Sequence, residues 1–254
     1  MIEVRALEKS MAGETVLNGV DFSVEEGEMI ALLGASGAGK SVLLRTITGL
    51  MYPDAGEVLL DGKNVHNLRG KKLADLRDSI GMLFQNGALF DSMSVYENLA
   101  FPLREKTMLS RAEIEERVFE HLARVEMQEA AEKYPSELSG GMQKRAALAR
   151  TLVSSPEVIF FDEPTTGLDP LIGNSILRLI CNLHREYGFT AVIVTHSFQK
   201  VFQIVHKVAM VHNGEIVAYT TPEEFMNSDI PVVKKFVKEA LEGPLEEMSD
   251  ETQG

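Results

Sequence analysis

Two hydrophobic periods alternate along the 254-residue chain, one of strands and one of helices. Residues 2–8, 19–24 and 29–33 are strand-like runs separated by polar turns, one of them at Glu26-Gly27. A helical pattern then runs to about Gly49. Residues 57–60 form a strand that ends on the hairpin dipeptide Asp61-Gly62. Leu73 and Leu76, set among charges, predict a short helix at about 70–78, and residues 79–84 predict a buried strand ending at Gln85.

Between about 86 and 155 the strand series is interrupted and the pattern becomes mostly helical. Ser94-Val95-Tyr96-Glu97 and Ser110-Arg111-Ala112-Glu113 are capping boxes, and Ile114, Val118, Leu122 and Val125 recur at helical spacing. A further helix follows Ser139. The region reads as an inserted helical subdomain. Strands resume at 158–161, apolar throughout as in a parallel strand buried on both faces, and at 191–194 beyond a helix at about 170–186. Ser197 is expected to cap a helix through Val205. Strands 208–211 and 215–219 flank Asn213-Gly214, Thr221-Pro222 opens a short helix, and a last helix spans about 231–241. Beyond Gly243-Pro244 the composition is acidic and poor in apolar residues, so residues 242–254 are expected to be a flexible tail.

Composition narrows the function. With 44% hydrophobic residues the chain can bury a sizeable core as one unit. A formal net charge of −13 repels polyanions, which argues against nucleic-acid partners. The single cysteine, Cys181, has no partner for an intrachain disulfide and reads as a small buried hydrophobe. No apolar run reaches bilayer-spanning length and the N-terminus has no signal-peptide pattern, so a soluble, cytoplasmic chain is expected, reaching a membrane only through a partner.

Candidate chemistry starts at Gly34-Ala35-Ser36-Gly37-Ala38-Gly39-Lys40-Ser41-Val42, between the apolar run 29–33 and a helix. That is the strand–loop–helix context of a phosphate-binding P-loop. Glycines let backbone N–H groups converge on an anion, Lys40 supplies a cation for the β- and γ-phosphates, and Ser41 offers a hydroxyl to Mg²⁺. A turn that binds nothing is a poor explanation of Lys-Ser in that register. Residues 160–163, Phe-Phe-Asp-Glu, end an apolar strand on two carboxylates. Asp162 suits the Mg²⁺ shell and Glu163 suits polarising a water. Gln85 and His196 also end predicted strands, within reach of a metal or lytic water and of a γ-phosphate. Alone, each would be an ordinary surface glutamine or structural histidine. The histidines at 66, 121, 184, 206 and 212 read as surface or boundary residues without metal-ligand spacing.

Residues 138–145, Leu-Ser-Gly-Gly-Met-Gln-Lys-Arg, would in isolation be a plain N-cap turn. Together with the P-loop, Gln85, Asp162-Glu163, Gly167-Leu168-Asp169 and His196, they resemble the signature motif of ATP-binding cassette (ABC) proteins, in that family's order and spacing. The resemblance extends to about residue 241. It implies an α/β fold: a P-loop NTPase core of mostly parallel, RecA-like sheet, an N-terminal antiparallel β subdomain and the inserted helical one. It also implies ATP and Mg²⁺ as cofactors and a head-to-tail dimer. In such a dimer Ser139, Gly140, Gly141 and Met142 cap the ATP held by the partner's P-loop. Asp169 looks like the residue that senses the opposite site. Two positions depart from the family's pattern. Met11 stands where an aromatic residue usually stacks on adenine, and Met142 stands where glutamine is usual.

Ala88, Leu89 and Phe90, just past Gln85, form an apolar patch fit to receive a partner's helix. The wording Phe-Gln-x-Gly-Ala-Leu-Phe at 84–90, then Asn98 and Pro102-Leu103-Arg104-Glu105, is similar to the cassettes of Mla/MCE-type phospholipid transporters, as is the stretch from Phe236 through Glu-Gly-Pro. That likeness implies an integral membrane permease, an MCE-domain lipid-binding protein and a place on the cytoplasmic face of the membrane. A soluble ABC ATPase serving an assembly complex, or an importer of another substrate, is the competing expectation.

Overall fold

The structure, a computed structural model, describes residues 1–196 and 198–242. Ser197, the expected helix cap, and the acidic segment from Gly243 lie outside the described residues.

Six strands form the central sheet: β3 (Met29–Leu33), β6 (Ile80–Leu83), β7 (Val158–Asp162), β8 (Thr190–Val194), β9 (Lys207–His212) and β10 (Glu215–Thr220). Their order is β10-β9-β3-β8-β7-β6. Pairing is parallel from β9 through β6, and β10 closes one edge antiparallel to β9. A second, antiparallel sheet has the order β2-β1-β4-β5, from β1 (Ile2–Met11), β2 (Glu14–Val24), β4 (Ala55–Leu60) and β5 (Lys63–Asn64).

Strand β3 shows how the layers are built. Its five residues are all buried, and successive side chains point to opposite faces. Met29, Ala31 and Leu33 join a core shared with α3 (Val95–Lys106), α4 (Arg111–Arg124), α5 (Gly140–Leu152) and α6 (Pro170–Tyr187). Ile30 and Leu32 join a second core with the antiparallel sheet and α1 (Lys40–Ile47). The sheet is apolar on both faces because both are covered, which is why its strands lack polar alternation.

Several expectations need correction. Strands β1 and β2 are longer than the predicted 2–8 and 19–24, because they form one hairpin in which Met11 pairs with Glu14 across Ala12-Gly13. The helix expected to reach Val205 is a single turn, α7 (Phe198–Val201). The chain then turns so that the His206 N–H can donate to the Met29 carbonyl at 2.7 Å, which leads it into β9 beside β3. His121 is a buried residue, not a surface one: its Nδ1 donates to the Arg117 carbonyl at 2.9 Å and its ring stacks on Tyr187. His184 donates to the Gly27 carbonyl at 3.0 Å, and His206 accepts from the Met29 N–H at 2.9 Å. Cys181 is half-buried on α6. The remaining short helices are α2 (Gly70–Asp78), α8 (Pro222–Met226) and α9 (Pro231–Glu242).

Candidate active site

The glycine-rich loop joins the carboxyl end of β3 to α1, at the centre of the parallel sheet. Ligands of open α/β sheets bind at such carboxyl ends. Here β3, β7 and β8 all end on one cleft of about 380 Å³. Ser36, Gly37, Ala38, Gly39, Lys40, Ser41 and Val42 line it from the loop and α1. Asp162 and Glu163 line it from β7, His196 from beyond β8, and Gln85 from beyond β6. Four segments far apart in sequence therefore meet as expected.

Helix α1 begins after Gly39, which has φ 101° and no side chain to cap the first turn, and that turn carries no acidic residue. Its free N–H groups and partial positive charge face the cleft. The Lys40 ammonium donates to the carbonyls of Gly34 at 2.6 Å and Ala35 at 2.9 Å, which holds it inside the loop. Burial lowers its pKa, against the opposing pull of Glu163 and Asp162. Burial likewise raises the Asp162 pKa, helped by the adjacent Glu163 charge. Two crowded, partly desolvated carboxylates beside a serine hydroxyl and a glutamine amide are hard oxygen donors suited to a divalent cation.

Glu163 is the most constrained member. Its backbone is left-handed, φ 49°, and its N–H donates to the Val194 carbonyl at 2.9 Å. One carboxylate oxygen accepts from Thr166 Oγ1 at 3.1 Å and Thr195 Oγ1 at 3.2 Å. The other lies 2.8 Å from His196 Nδ1. The carboxylate is mostly sheltered whereas the imidazole is largely exposed, so the histidine forms the outer rim of the pair.

The other expected residues lie elsewhere. Ser139 caps α5, its hydroxyl accepting from the Met142 N–H at 3.3 Å. Ser139 and Gly140 are exposed, and none of residues 139–142 lines the cleft of the same chain. Asp169 caps α6, accepting from the Leu171 and Ile172 N–H groups at 3.0 and 3.1 Å. The first turn of α6 packs on the signature: a methyl on Gly141 would come within 2.6 Å of Ile172 Cγ2. Met11, at the end of β1, does not line the cleft, and Val16 of β2 does. Val16 lay outside the strand expected at 19–24 and was not singled out; it is the start of β2 at Glu14 that brings it to the cleft. Thr166 and Thr195 carried no sequence signal, because their role depends on where Glu163 points.

Strand, phosphate loop, helix and paired carboxylates define a P-loop nucleoside triphosphatase. Comparison with known proteins narrows the class. The ABC transporter family model matches residues 17–166. The probable ribonucleotide transport ATP-binding protein mkl of Mycobacterium tuberculosis is 40% identical over 96% of this chain and 68% of its own length. The intermembrane phospholipid transport system ATP-binding protein MlaF of Haemophilus influenzae is 38% identical over 96% of this chain and 93% of its own. Among solved structures, the dimeric post-hydrolysis state of the ATP-binding cassette MJ0796 bound to ADP and Pi superposes with a TM-score of 0.79 at 32% identity, covering 87% of this chain and 98% of that one. The chain belongs to the ABC transporter ATP-binding family. It is an ATP-hydrolysing cassette with that family's α/β fold.

Proposed function

We propose that this cassette drives phospholipid movement through a separate membrane permease, working as a dimer on the cytoplasmic face of the membrane. The observation that carries the reading is a groove of about 160 Å³ whose lining includes Met82, Phe84, Ala88, Pro102 and Arg150. Phe84 and Phe90, on either side of Gln85, are 40% and 38% exposed. Leu89 packs inward against the core while Ala88 and Phe90 face out. An apolar rim joined directly to a residue of the ATP cleft suits a permease's helix. Among the described residues no helix is long and apolar enough to cross a membrane, and in this reading the span is the permease's. The name of the MlaF relative supports phospholipid as cargo, and the likeness at 84–105 supports an MCE-domain partner. The name of the mkl relative points instead to ribonucleotides.

In this reading residues 1–241 are one cassette, and about 86–155 carry the signature that caps the partner's ATP. Gly34 through Val42 hold the phosphates, with Val16 toward the base. Ser41, Gln85 and Asp162 hold Mg²⁺, which supplies charge neutralisation on the phosphates. Glu163 accepts a proton from the attacking water, with Thr166, Thr195 and His196 holding its carboxylate in place. Ser139, Gly140, Gly141 and Met142 contact ATP on the opposite protomer beside Asp169, and so neither chain completes a site alone.

Isolation of the tagged chain from detergent-solubilised membranes tests this. An integral permease, an MCE-domain protein and phospholipid are expected to co-isolate. Phe90→Asp should remove the permease while leaving the melting temperature nearly unchanged, as exposed substitutions usually do. A stable soluble complex without permease, or a permease loaded with nucleotide and no lipid, overturns the cargo assignment.

A further inference from the structure

The segment after β6 is attached to the signature helix by contacts that no motif announces. Lys144, at the start of the second turn of α5, is buried, and its ammonium donates to the backbone carbonyl of Gln85. Gly87, at φ 73°, lies so close to α5 that a methyl there would sit 3.3 Å from Ala147 Cβ. The Arg150 guanidinium donates to the Ala88 carbonyl, and its centre lies 4.7 Å from the centroid of the Phe90 ring. On the far side, Asn98 of α3 accepts from the Phe90 N–H at 2.8 Å and donates to the Phe90 carbonyl at 3.1 Å.

Lys144 is an expensive way to fill space. A buried ammonium facing a neutral carbonyl pays desolvation that an apolar side chain of the same length would avoid. Burial depresses its pKa, with Asp162 and Glu163 pulling the other way. What the charge supplies is a charge-assisted hydrogen bond to the backbone of the residue whose side chain lines the ATP cleft. Arg150 repeats the arrangement toward the permease groove, which it also lines. Both acceptors are main-chain carbonyls, so the attachment fixes the path of residues 85–88 whatever their side chains do.

We propose that Lys144 and Arg150 are positioning residues that clasp residues 85–88 to α5, so that Gln85, the Phe90 face and Ser139 move as one body. A displacement imposed at Phe90 then reaches Ser139 along a helix rather than through a loop, and dimer closure at Ser139 is felt at Phe90. The proposal rests on the reading that Ser139 caps the partner's ATP.

The test uses the full chain in a Glu163→Gln background, which holds the Mg-ATP dimer closed. In the parent, Mg-ATP is expected to slow amide exchange both in the first turn of α5 and across residues 86–90. Adding Lys144→Met should preserve dimerisation and the α5 protection while abolishing the change at 86–90. Lys144→Arg, which keeps a charged donor, should restore it. With Glu163 intact, Lys144→Met should lower ATP turnover roughly 2- to 30-fold, the range such coupling networks carry, with KM shifting less than about twofold. A side chain that is only packing would instead lower the melting temperature and affect both regions together. Were Lys144→Met not to fold, Arg150→Met removes the second contact and is read the same way, with Arg150→Lys, which keeps a charged donor, as its rescue. Retention of the ATP-dependent change at 86–90 in these variants overturns the clasp. Failure of the Glu163→Gln parent to dimerise overturns the signature reading first, and is recognisable before Lys144 is touched.

Discussion

Glu163 concentrates the chemistry of the site in one side chain. It accepts from two threonine hydroxyls, touches His196 and sits in a left-handed backbone that glycine would occupy more readily. Glu163→Gln keeps the shape and most of these contacts but cannot take a proton from water. ATP turnover is expected to fall by roughly 10²- to 10⁴-fold, the usual worth of a positioned general base, while Mg-ATP affinity is retained. Single-turnover hydrolysis and nucleotide binding on the same preparation check this, and wild-type turnover would remove Glu163 from that role. The carboxylate was identifiable in the sequence because apolar strands seldom end on two acids without a cation to serve. Thr195 was not, since a hydrogen bond between residues 32 apart depends on how β7 and β8 lie together, and Thr166, three residues away, is brought to the carboxylate by the turn after β7. Lys144 was hidden for the same reason: in sequence it is one charge in a helix, and only the packing of α5 on residues 85–88 shows what it holds.

Among the elements, α4 and α6 meet through an arrangement that responds to pH. His121 is pressed between Arg117 and Arg124 of its own helix and Tyr187 of α6, with Arg124 also bridging to Glu186. Burial holds the His121 pKa below its ordinary value, and burial does the same to His66 and His184. A group with a depressed folded-state pKa binds fewer protons folded than unfolded, so stability falls as pH drops through the ordinary histidine range. The chain's melting temperature should therefore decline between about pH 7 and pH 5, before the carboxylates lowered by hydrogen bonding at Asp54, Glu113, Glu120 and Glu224 begin to protonate. His121→Gln should flatten that slope in differential scanning calorimetry at several pH values, and an unchanged slope would assign the effect elsewhere. Element boundaries show what local pattern can and cannot carry. Three hairpins turn on two left-handed residues each: Ala12-Gly13, Asp61-Gly62 and Asn213-Gly214. The latter two were legible because Asp and Asn tolerate that conformation. Alanine does not advertise it, so β1 and β2 were read as shorter than they are. The shortening of α7 has a non-local cause, the hydrogen bond that draws His206 to Met29.

At the scale of the molecule, residues 139–142 do not line the P-loop cleft of their own chain, which makes complementation between damaged copies the natural experiment. Lys40→Ala should weaken phosphate binding at its own loop. Ser139→Gly should remove the hydroxyl while costing the helix only a few tenths of a kcal/mol, because glycine is a tolerable N-cap. Each variant alone should be nearly inactive. Mixed in equal amounts they should regain up to about a quarter of wild-type turnover, since half of randomly paired dimers then hold one intact site of two. If no turnover returned in any mixture, the arrangement of Ser139 over the partner's ATP would gain no support.

The central position of β3 also matters before the chain is finished. Its neighbours in the sheet are β8 and β9, and Ala31 pairs with Ile193 on one side and Val208 on the other. Both partners are made roughly 160 residues or more after β3, which at ordinary elongation rates is ~10–30 s of synthesis. During that interval the antiparallel sheet can close on its own, while an apolar strand carrying the phosphate loop has no edge to join. The newborn chain must therefore shelter its nucleotide loop on an unfinished sheet, and a ribosome-bound fragment ending before β8 is the form in which chaperones would meet it.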